Sequence, residues 1–354
     1  EVDGWRNKIF WGDNLQVMSH LLKEFRGKVD LIYIDPPFDS KADYKKQIKL
    51  RGKSLKSDSN NFEEKQYTDI WNNDDYLQFM YERVLLLREL LSETGAIFLH
   101  CNTAKGHYLK CILDEVFGQE NFRNEIVWCF KTSLRSSPKA FGKEHELIFF
   151  YSKSDKHKIH PDKSDFPASE STLKRWGPYA DENGFVSNKH FAGSDSTIID
   201  TDDEEKGFNI NNGIPRDWWE ISSNVAKGNS GEVVAGKYPT QKPEKLLRRI
   251  VKASSEPGDL VFDCFMGSGT TQAVAGKLGR RFIGADINLG AVQTTTKRLI
   301  SLLNTPRKLD EPKLAGFEIY NVNNYDIFRN PVEAKALLAE ALEKASVSGG
   351  QGIY

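Results

Sequence analysis

The chain has 354 residues, 39% of them hydrophobic, and its 49 Lys and Arg nearly balance 50 Asp and Glu for a formal net charge of −1. That length supports one large domain or two ordinary ones, and no apolar run approaches the roughly 18 residues that a membrane span needs. The four cysteines, Cys101, Cys111, Cys129 and Cys264, make neither a dense framework nor metal-type pairs, so no metal site is expected and a reducing cytoplasm is the natural setting.

The chain begins with a short strand and turn at NKIFWGDN and a helix over residues 15–25. Val29, Leu31, Ile32, Tyr33 and Ile34 then form a largely β-branched apolar run, which reads as a strand buried in a sheet. It leads into the string DPPF: Asp35, Pro36, Pro37 and Phe38. Two prolines cannot continue a central strand, so the sheet must end at Asp35. The carboxyl ends of strands in an open α/β sheet face the ligand crevice, which puts this acid where chemistry usually happens. A carboxylate, a rigid proline carbonyl and an aromatic ring on one sharp turn can grip an exocyclic amino group and the flat base that carries it. Asp-Pro-Pro is also an ordinary loop opener, and the string alone fits either reading.

Residues 41–56 carry seven Lys or Arg against one acid, directly after that turn. Lys41, Lys45, Lys46, Lys49 and Arg51 are candidates to follow a phosphate backbone in a salt-dependent way, although a solvated polar loop explains any one of them. The polar, Ser/Asn-rich stretch that follows makes much of 39–68 an expected loop that orders on a nucleic acid.

A helix is predicted from about Asp75 to Ser92, with Tyr76, Phe79, Met80, Val84, Leu87 and Leu91 at helical spacing, leading into strand AIFLH. A helix over 104–117 and the strands EIVWCF and ELIFFYS follow. This alternation predicts an α/β fold with a twisted, mainly parallel sheet and helices on both faces. Residues 154–236 interrupt the rhythm with Asp, Ser, Asn, Gly and Lys and read as an inserted segment. The helix of YPTQKPEKLLRRIVKASS returns the chain to the main domain, and residues 306–354 hold one strand, FEIYNV, and a helix from about 331 to 346.

A second motif spans 257–271, PGDLVFDCFMGSGTT. Leu260, Val261 and Phe262 read as a strand, Asp263 as its tip, and Gly267, Ser268 and Gly269 as a loop before a helix from Thr270. Glycines there let backbone approach a ligand closely, and the helix N-terminus favours negative charge. A dinucleotide fingerprint would want glycine where the chain has Gln272, and a Walker loop would want a lysine that is absent. The strand RFIGAD ends in Asp286, 23 residues after Asp263, where a ribose hydroxyl pair would be held. A structural glycine turn is the alternative for this motif taken alone.

DPPF followed much later by DCFMGSGTT resembles the amino-directed, S-adenosylmethionine-dependent DNA methyltransferases, with the catalytic motif first and the cofactor motif last as in the β-class. TGAIFLH, YLKCILDEVFG, NEIVW, HELIFFYSK and YPTQKPEKLL occur in the expected order, and the resemblance covers roughly residues 5 to 305. It implies a circularly permuted, Rossmann-like class I methyltransferase fold. The catalytic half would be 1–153, a target-recognition insertion 154–236, the cofactor half 237–305, and 306–354 an extension without an assigned role.

The resemblance also implies roles. Asp35 and the Pro36 carbonyl would hold the target amine, with Pro37 and Phe38 completing the catalytic turn. Phe265, Gly267 and Gly269 would surround the methionine part of S-adenosylmethionine, with Asp263 beside it. Asp286 would hold the ribose, Asp13 the adenine edge, and Lys242 and Pro243 the methionine end. Cys264 departs from the family pattern, where proline is common, and puts the loop geometry in doubt. His100, at a strand end, is expected to be a satisfied structural histidine. Double-stranded DNA is the expected partner, with a homodimer and a restriction endonuclease as candidates. The acid in DPPF favours adenine-N6 methylation; cytosine-N4 methylation, methylation of RNA or a protein amide, and a catalytically silent DNA-reading subunit stay open.

Overall fold

The computed structural model describes residues 1–37, 73–130, 141–162, 168–187, 207–211, 215–223, 240–306 and 312–322, with Phe166, Tyr238 and the backbone of 48–50 and 53–55. Strand β1 (Asn7–Trp11), helix α1 (Asn14–Phe25) and strand β2 (Val29–Ile34) come first. An antiparallel hairpin, β3 (Ile48–Leu50) with β4 (Lys53–Leu55), lies in the basic segment. Helix α2 (Asn73–Leu90) feeds β5 (Leu91–Cys101), and α3 (Gly106–Phe117) precedes β6 (Phe122–Cys129) and β7 (His145–Ser152). Four short elements follow: α4 (Glu170–Trp176), β8 (Phe185–Ser187), β9 (Gly207–Asn209) and β10 (Trp218–Glu220). The chain then runs through α5 (Glu244–Ser254), β11 (Leu260–Asp263), α6 (Thr270–Lys277), β12 (Arg281–Asp286), α7 (Leu289–Asn304) and β13 (Phe317–Asn321).

Nine strands form one sheet in the order β10-β6-β7-β5-β2-β11-β12-β1-β13. Only β7 runs against its neighbours, β5 and β6; every other pair in this sheet is parallel. The sheet is therefore mainly parallel, as the alternation of elements predicts. Both of its faces are covered, which is why the strands read as continuous apolar runs rather than alternating ones. Along β2, Ile32 and Ile34 join one core with α1, α2 and α3. Leu31 and Tyr33 join the other, under α5, α6 and α7. Helix α1 contributes Val17, Met18, Leu21, Leu22 and Phe25 to the first core, and α5 contributes Leu246, Leu247, Ile250 and Val251 to the second, each a stripe at helical spacing.

Two expectations change in detail. Helix α2 stops at Leu90 because Leu91 already pairs with Val29 of β2. Trp218–Glu220, inside the segment read as an insertion, pairs in parallel with β6 and extends the sheet edge. The C-terminal strand pairs with β1 at the opposite edge, while the helix expected over 331–346 lies outside the described residues. Among those residues no helix is long and apolar enough to cross a membrane.

One adjacency sets up the site. Strand β2 lies next to β11 although more than two hundred residues separate them. The DPPF turn and the glycine loop after Asp263 therefore leave the carboxyl ends of adjacent strands.

Candidate active site

Four acids gather at the carboxyl ends of four neighbouring parallel strands. Asp35 follows β2, Asp263 ends β11, Asp286 ends β12 and Asp13 follows β1. Register aligns them: Phe262 pairs with Ile32, Asp263 with Gly284, and Asp286 with Trp11.

Asp35 is partly exposed, Pro36 is buried beneath it and Pro37 is half-buried. Phe38 lies outside the described residues. The Lys242 Nζ sits 3.0 Å from Asp35 Oδ2 and 3.4 Å from Glu146 Oε2. Asp35 Oδ1 is buried and makes no hydrogen bond among the described residues. Leaving such an atom unsatisfied costs about 1–3 kcal/mol, so this carboxylate is short of one donor.

Behind Glu146 stands His100, fully buried, with its Nε2 2.7 Å from Glu146 Oε2 and its Nδ1 2.8 Å from the Tyr33 hydroxyl. A carboxylate only accepts, so Nε2 carries a proton and, in the neutral ring, Nδ1 accepts from Tyr33. His100 is thus the satisfied buried histidine expected from sequence, but it is also linked through Glu146 and Lys242 to Asp35. Burial would raise the Glu146 carboxyl, yet His100 and Lys242 hold it down to about 2. Burial likewise opposes the Lys242 ammonium, and the carboxylates of Asp35 and Glu146 outweigh it, holding its pKa above the usual lysine range. The Tyr33 phenol is pushed well up by burial and by the acids around it.

The glycine loop is built by its own acids. Asp263 is buried, and its carboxylate accepts from the Phe265 N–H at 3.0 Å and the Thr271 hydroxyl at 2.6 Å. Asp286 accepts from the Gly267 N–H at 2.9 Å and the Asn288 N–H at 2.8 Å. Burial nevertheless raises both acids, Asp263 to about 7 and Asp286 to about 6. Gly267 and Gly269 both have positive φ, 51° and 72°, backbone that other residues rarely adopt. At Gly269 a Cβ would also come 2.5 Å from Thr295 Cγ2, so glycine is required twice over. Cys264 is buried, and its carbonyl accepts from Asn14 at 3.2 Å. Phe265 packs toward Phe79, with ring centroids 6.3 Å apart.

The remaining expected residues fall into two groups. Asp13 is the N-cap of α1, accepting from the Leu15 N–H at 2.9 Å, and its second oxygen takes Arg83 at 3.2 Å. With Phe79, Glu82 and Arg83 it borders a cleft of about 340 Å³. Pro243 caps α5, and the preceding Lys242 carbonyl accepts from Thr270 at 3.3 Å, tying this segment to the end of the glycine loop. By contrast, Lys41, Lys45, Lys46 and Arg51 lie outside the described residues, and of Lys49 only its backbone place in β3 is described.

Sequence reasoning missed Tyr33, Glu146 and Arg83 as parts of the site. The signals were present: Tyr33 is a polar-tipped aromatic inside a buried strand, and Glu146 is an acid opening the run ELIFFYS.

A doubly wound sheet with an acid-proline-proline turn beside an acid-anchored glycine loop is the Rossmann-like arrangement of the methyltransferases, here with the catalytic strand ahead of the cofactor strand. Residues 29–297 match the model of the DNA methylase family that covers N6 and N4 amino-methylation, and the chain belongs to that family. Its methyl donor is S-adenosylmethionine. The chain is 29% identical over 336 residues to the type II methyltransferase M.EcaI of Enterobacter cloacae, covering 82% of this chain and 69% of that one. It is 32% identical over 263 residues to the type II methyltransferase M1.MboII of Moraxella bovis, covering 73% and 85%. It is also 26% identical over 294 residues to the DNA adenine methyltransferase YhdJ of Escherichia coli K12, covering 82% of each.

Proposed function

We propose that this chain is a site-specific DNA methyltransferase acting on the N6 amino group of adenine. The observation that carries the reading is the Asp35 carboxylate: one oxygen is held by Lys242 and the other is buried without a protein partner among the described residues. An exocyclic amine is a poor nucleophile because its lone pair is delocalised into the ring. Asp35 Oδ1 and the Pro36 carbonyl would accept its two hydrogens in positions that favour a pyramidal nitrogen, while Phe38 stacks on the base. Reaching them requires the base to leave the duplex, at a cost of a few kcal/mol.

The residues present fit the cofactor. S-adenosylmethionine supplies an electrophilic sulfonium methyl when bound. Asp286 would accept from the ribose hydroxyls. Phe265, Gly267 and Gly269 would enclose the methionine part on a loop that Asp263 holds in shape. Asp13 would face the adenine edge from its place as the α1 cap. What the chain contributes is chiefly alignment and electrostatics.

The acid at position 35 and the likeness to a relative named as an adenine methyltransferase support adenine over cytosine. Residues 154–236 would read the target sequence, and the basic segment at 41–56 would follow the phosphates. The likeness to two type II methyltransferases supports a restriction-modification setting, with an endonuclease of the same specificity as partner and a second copy of the chain as a further candidate.

Long-read modification sequencing of DNA from a methylation-deficient host expressing the chain tests this. N6-methyladenine at one recurring sequence, absent when Asp35→Ala replaces the wild type, is the expected result. N4-methylcytosine would overturn the choice of base, and unmodified DNA from cells containing the folded wild-type chain would overturn the activity.

A further inference from the structure

Tyr33, His100, Glu146, Lys242 and Asp35 form one unbroken chain of contacts, at 2.8, 2.7, 3.4 and 3.0 Å. Strand alternation explains how they meet. Tyr33 shares a face of β2 with Leu31; Phe98 precedes His100 by two on β5; Ile148 follows Glu146 by two on β7. Leu31, Phe98 and Ile148 all belong to the core under α5. Lys242 enters from just before that helix. Four parts of the chain thus converge on one carboxylate.

We propose that Lys242 is a positioning residue for the catalytic acid, held in turn by Glu146, His100 and Tyr33, so that Asp35 meets the target amine with one fixed oxygen. The proposal rests on the reading of Asp35 as the amine-binding acid. A carboxylate with both oxygens free has two equivalent faces and a loose rotamer. With Oδ2 engaged by Lys242, the carboxylate is held in one orientation, and Oδ1, without a partner among the described residues, is the acceptor it keeps for the substrate. A lysine alone is a poor restraint, because its ammonium sits on a flexible four-carbon stem. Glu146 supplies the second anchor, and His100 stops Glu146 from turning away. The ring of His100 is fixed by Tyr33 on one side and by Trp128 edge-on, with centroids 5.4 Å apart at 74°.

This placement differs from the family expectation for Lys242 at the methionine end of the cofactor. The two assignments separate experimentally. Single-turnover methyl transfer would be measured with radiolabelled S-adenosylmethionine and plasmid DNA from a methylation-deficient host, both saturating, with cofactor affinity measured by calorimetry. Lys242→Met should lower the saturated rate on the order of 10²-fold, as a small misplacement of a reacting group does, with cofactor affinity unchanged. Lys242→Arg, which keeps the charge and the donors, should recover most of that loss. Glu146→Gln, nearly isosteric, should lower the rate less, and adding it to Lys242→Met should cost nothing further. It also keeps the test informative if Lys242→Met folds poorly by thermal melting.

An unchanged saturated rate with weakened cofactor binding would return Lys242 to the methionine end. Fully additive losses would break the link between Glu146 and Lys242. Turnover retained in Asp35→Ala would instead remove the underlying reading, whatever Lys242 shows.

Discussion

Asp286, at the end of β12, accepts the backbone N–H of Gly267 at 2.9 Å, so the acid assigned to the ribose also shapes the loop assigned to methionine. Asp263 does the same one strand away through Phe265 and Thr271. The glycine loop is therefore held by two buried acids that burial pushes up, Asp263 to about 7 and Asp286 to about 6.

That coupling fixes a pH dependence. Each acid has a folded-state value above the ordinary carboxyl value of 3.8, so its contribution to stability is present at low pH and is lost as pH rises through the folded value. Cofactor binding works the other way. A sulfonium cation and ribose hydroxyls both favour ionised acceptors, so binding draws protons off. Affinity for S-adenosylmethionine should rise with pH and level off above about 7. Calorimetry at a pH between the two values, in buffers of different ionisation enthalpy, should detect proton release; heats independent of buffer would show that neither acid changes charge.

Asp35→Ala separates binding from chemistry. The substitution removes the acceptor proposed for the amine but leaves the hydrogen bonds of Asp263 and Asp286 to the glycine loop in place. Methyl transfer should fall by on the order of 10³-fold or more, the scale for losing a single well-placed electrostatic group. Calorimetric affinity for S-adenosylmethionine should stay close to wild type. A variant that binds cofactor poorly and turns over normally once saturated would place Asp35 in the wrong half of the site.

Much of this architecture was legible in the sequence because the strong signals are local. The run Val29–Ile34 ended by two prolines located the strand end and turn at Asp35, and the glycines after Asp263 located the positive-φ loop before α6. What local patterns do not contain is adjacency across the sheet. Nothing in HELIFFYSK says that Glu146 faces His100, because that depends on β7 running against β5 in a particular register. Asp13 shows the complementary limit: resemblance assigned it to the cofactor, yet its carboxylate also caps α1 and pairs with Arg83. The alternation that puts Tyr33, His100 and Glu146 under α5 is visible only once the strand order is known.

Gly269→Ala tests the loop geometry against a built-in control. The new Cβ meets Thr295 Cγ2 at 2.5 Å in backbone with φ of 72°, so strain and a close approach add together. Gly258 has φ of 92° and nothing within 4 Å of its would-be Cβ, so Gly258→Ala suffers the strain alone, about 1–3 kcal/mol. Gly269→Ala should lower the melting temperature more and should also weaken cofactor binding, because Thr295 donates to the Gly267 carbonyl at 3.0 Å. Equal destabilisation by the two variants would mean that Thr295 moves aside without penalty.

Glu244, at the start of α5, holds three helices together beneath that loop. Its carboxylate takes Lys277 of α6 at 2.6 Å and Arg298 of α7 at 2.9 Å. Arg298 in turn donates to the Ser268 carbonyl at 3.2 Å and the Thr270 hydroxyl at 2.9 Å. Glu244 and Arg298 have side-chain exposures of 6% and 9%, so removing the acid strands a buried guanidinium, and Glu244→Ala should cost about 3–5 kcal/mol. Burial would raise the Glu244 carboxyl, but Lys277 and Arg298 prevail and lower it below the ordinary glutamate value of 4.5. A depressed folded value gives stability that is present above the unfolded value and is lost as pH falls through the folded one. Denaturant melts should therefore show the wild type losing its advantage over Glu244→Gln as the solution is acidified. A constant gap between the two across that range would mean that the cluster contributes packing and not charge.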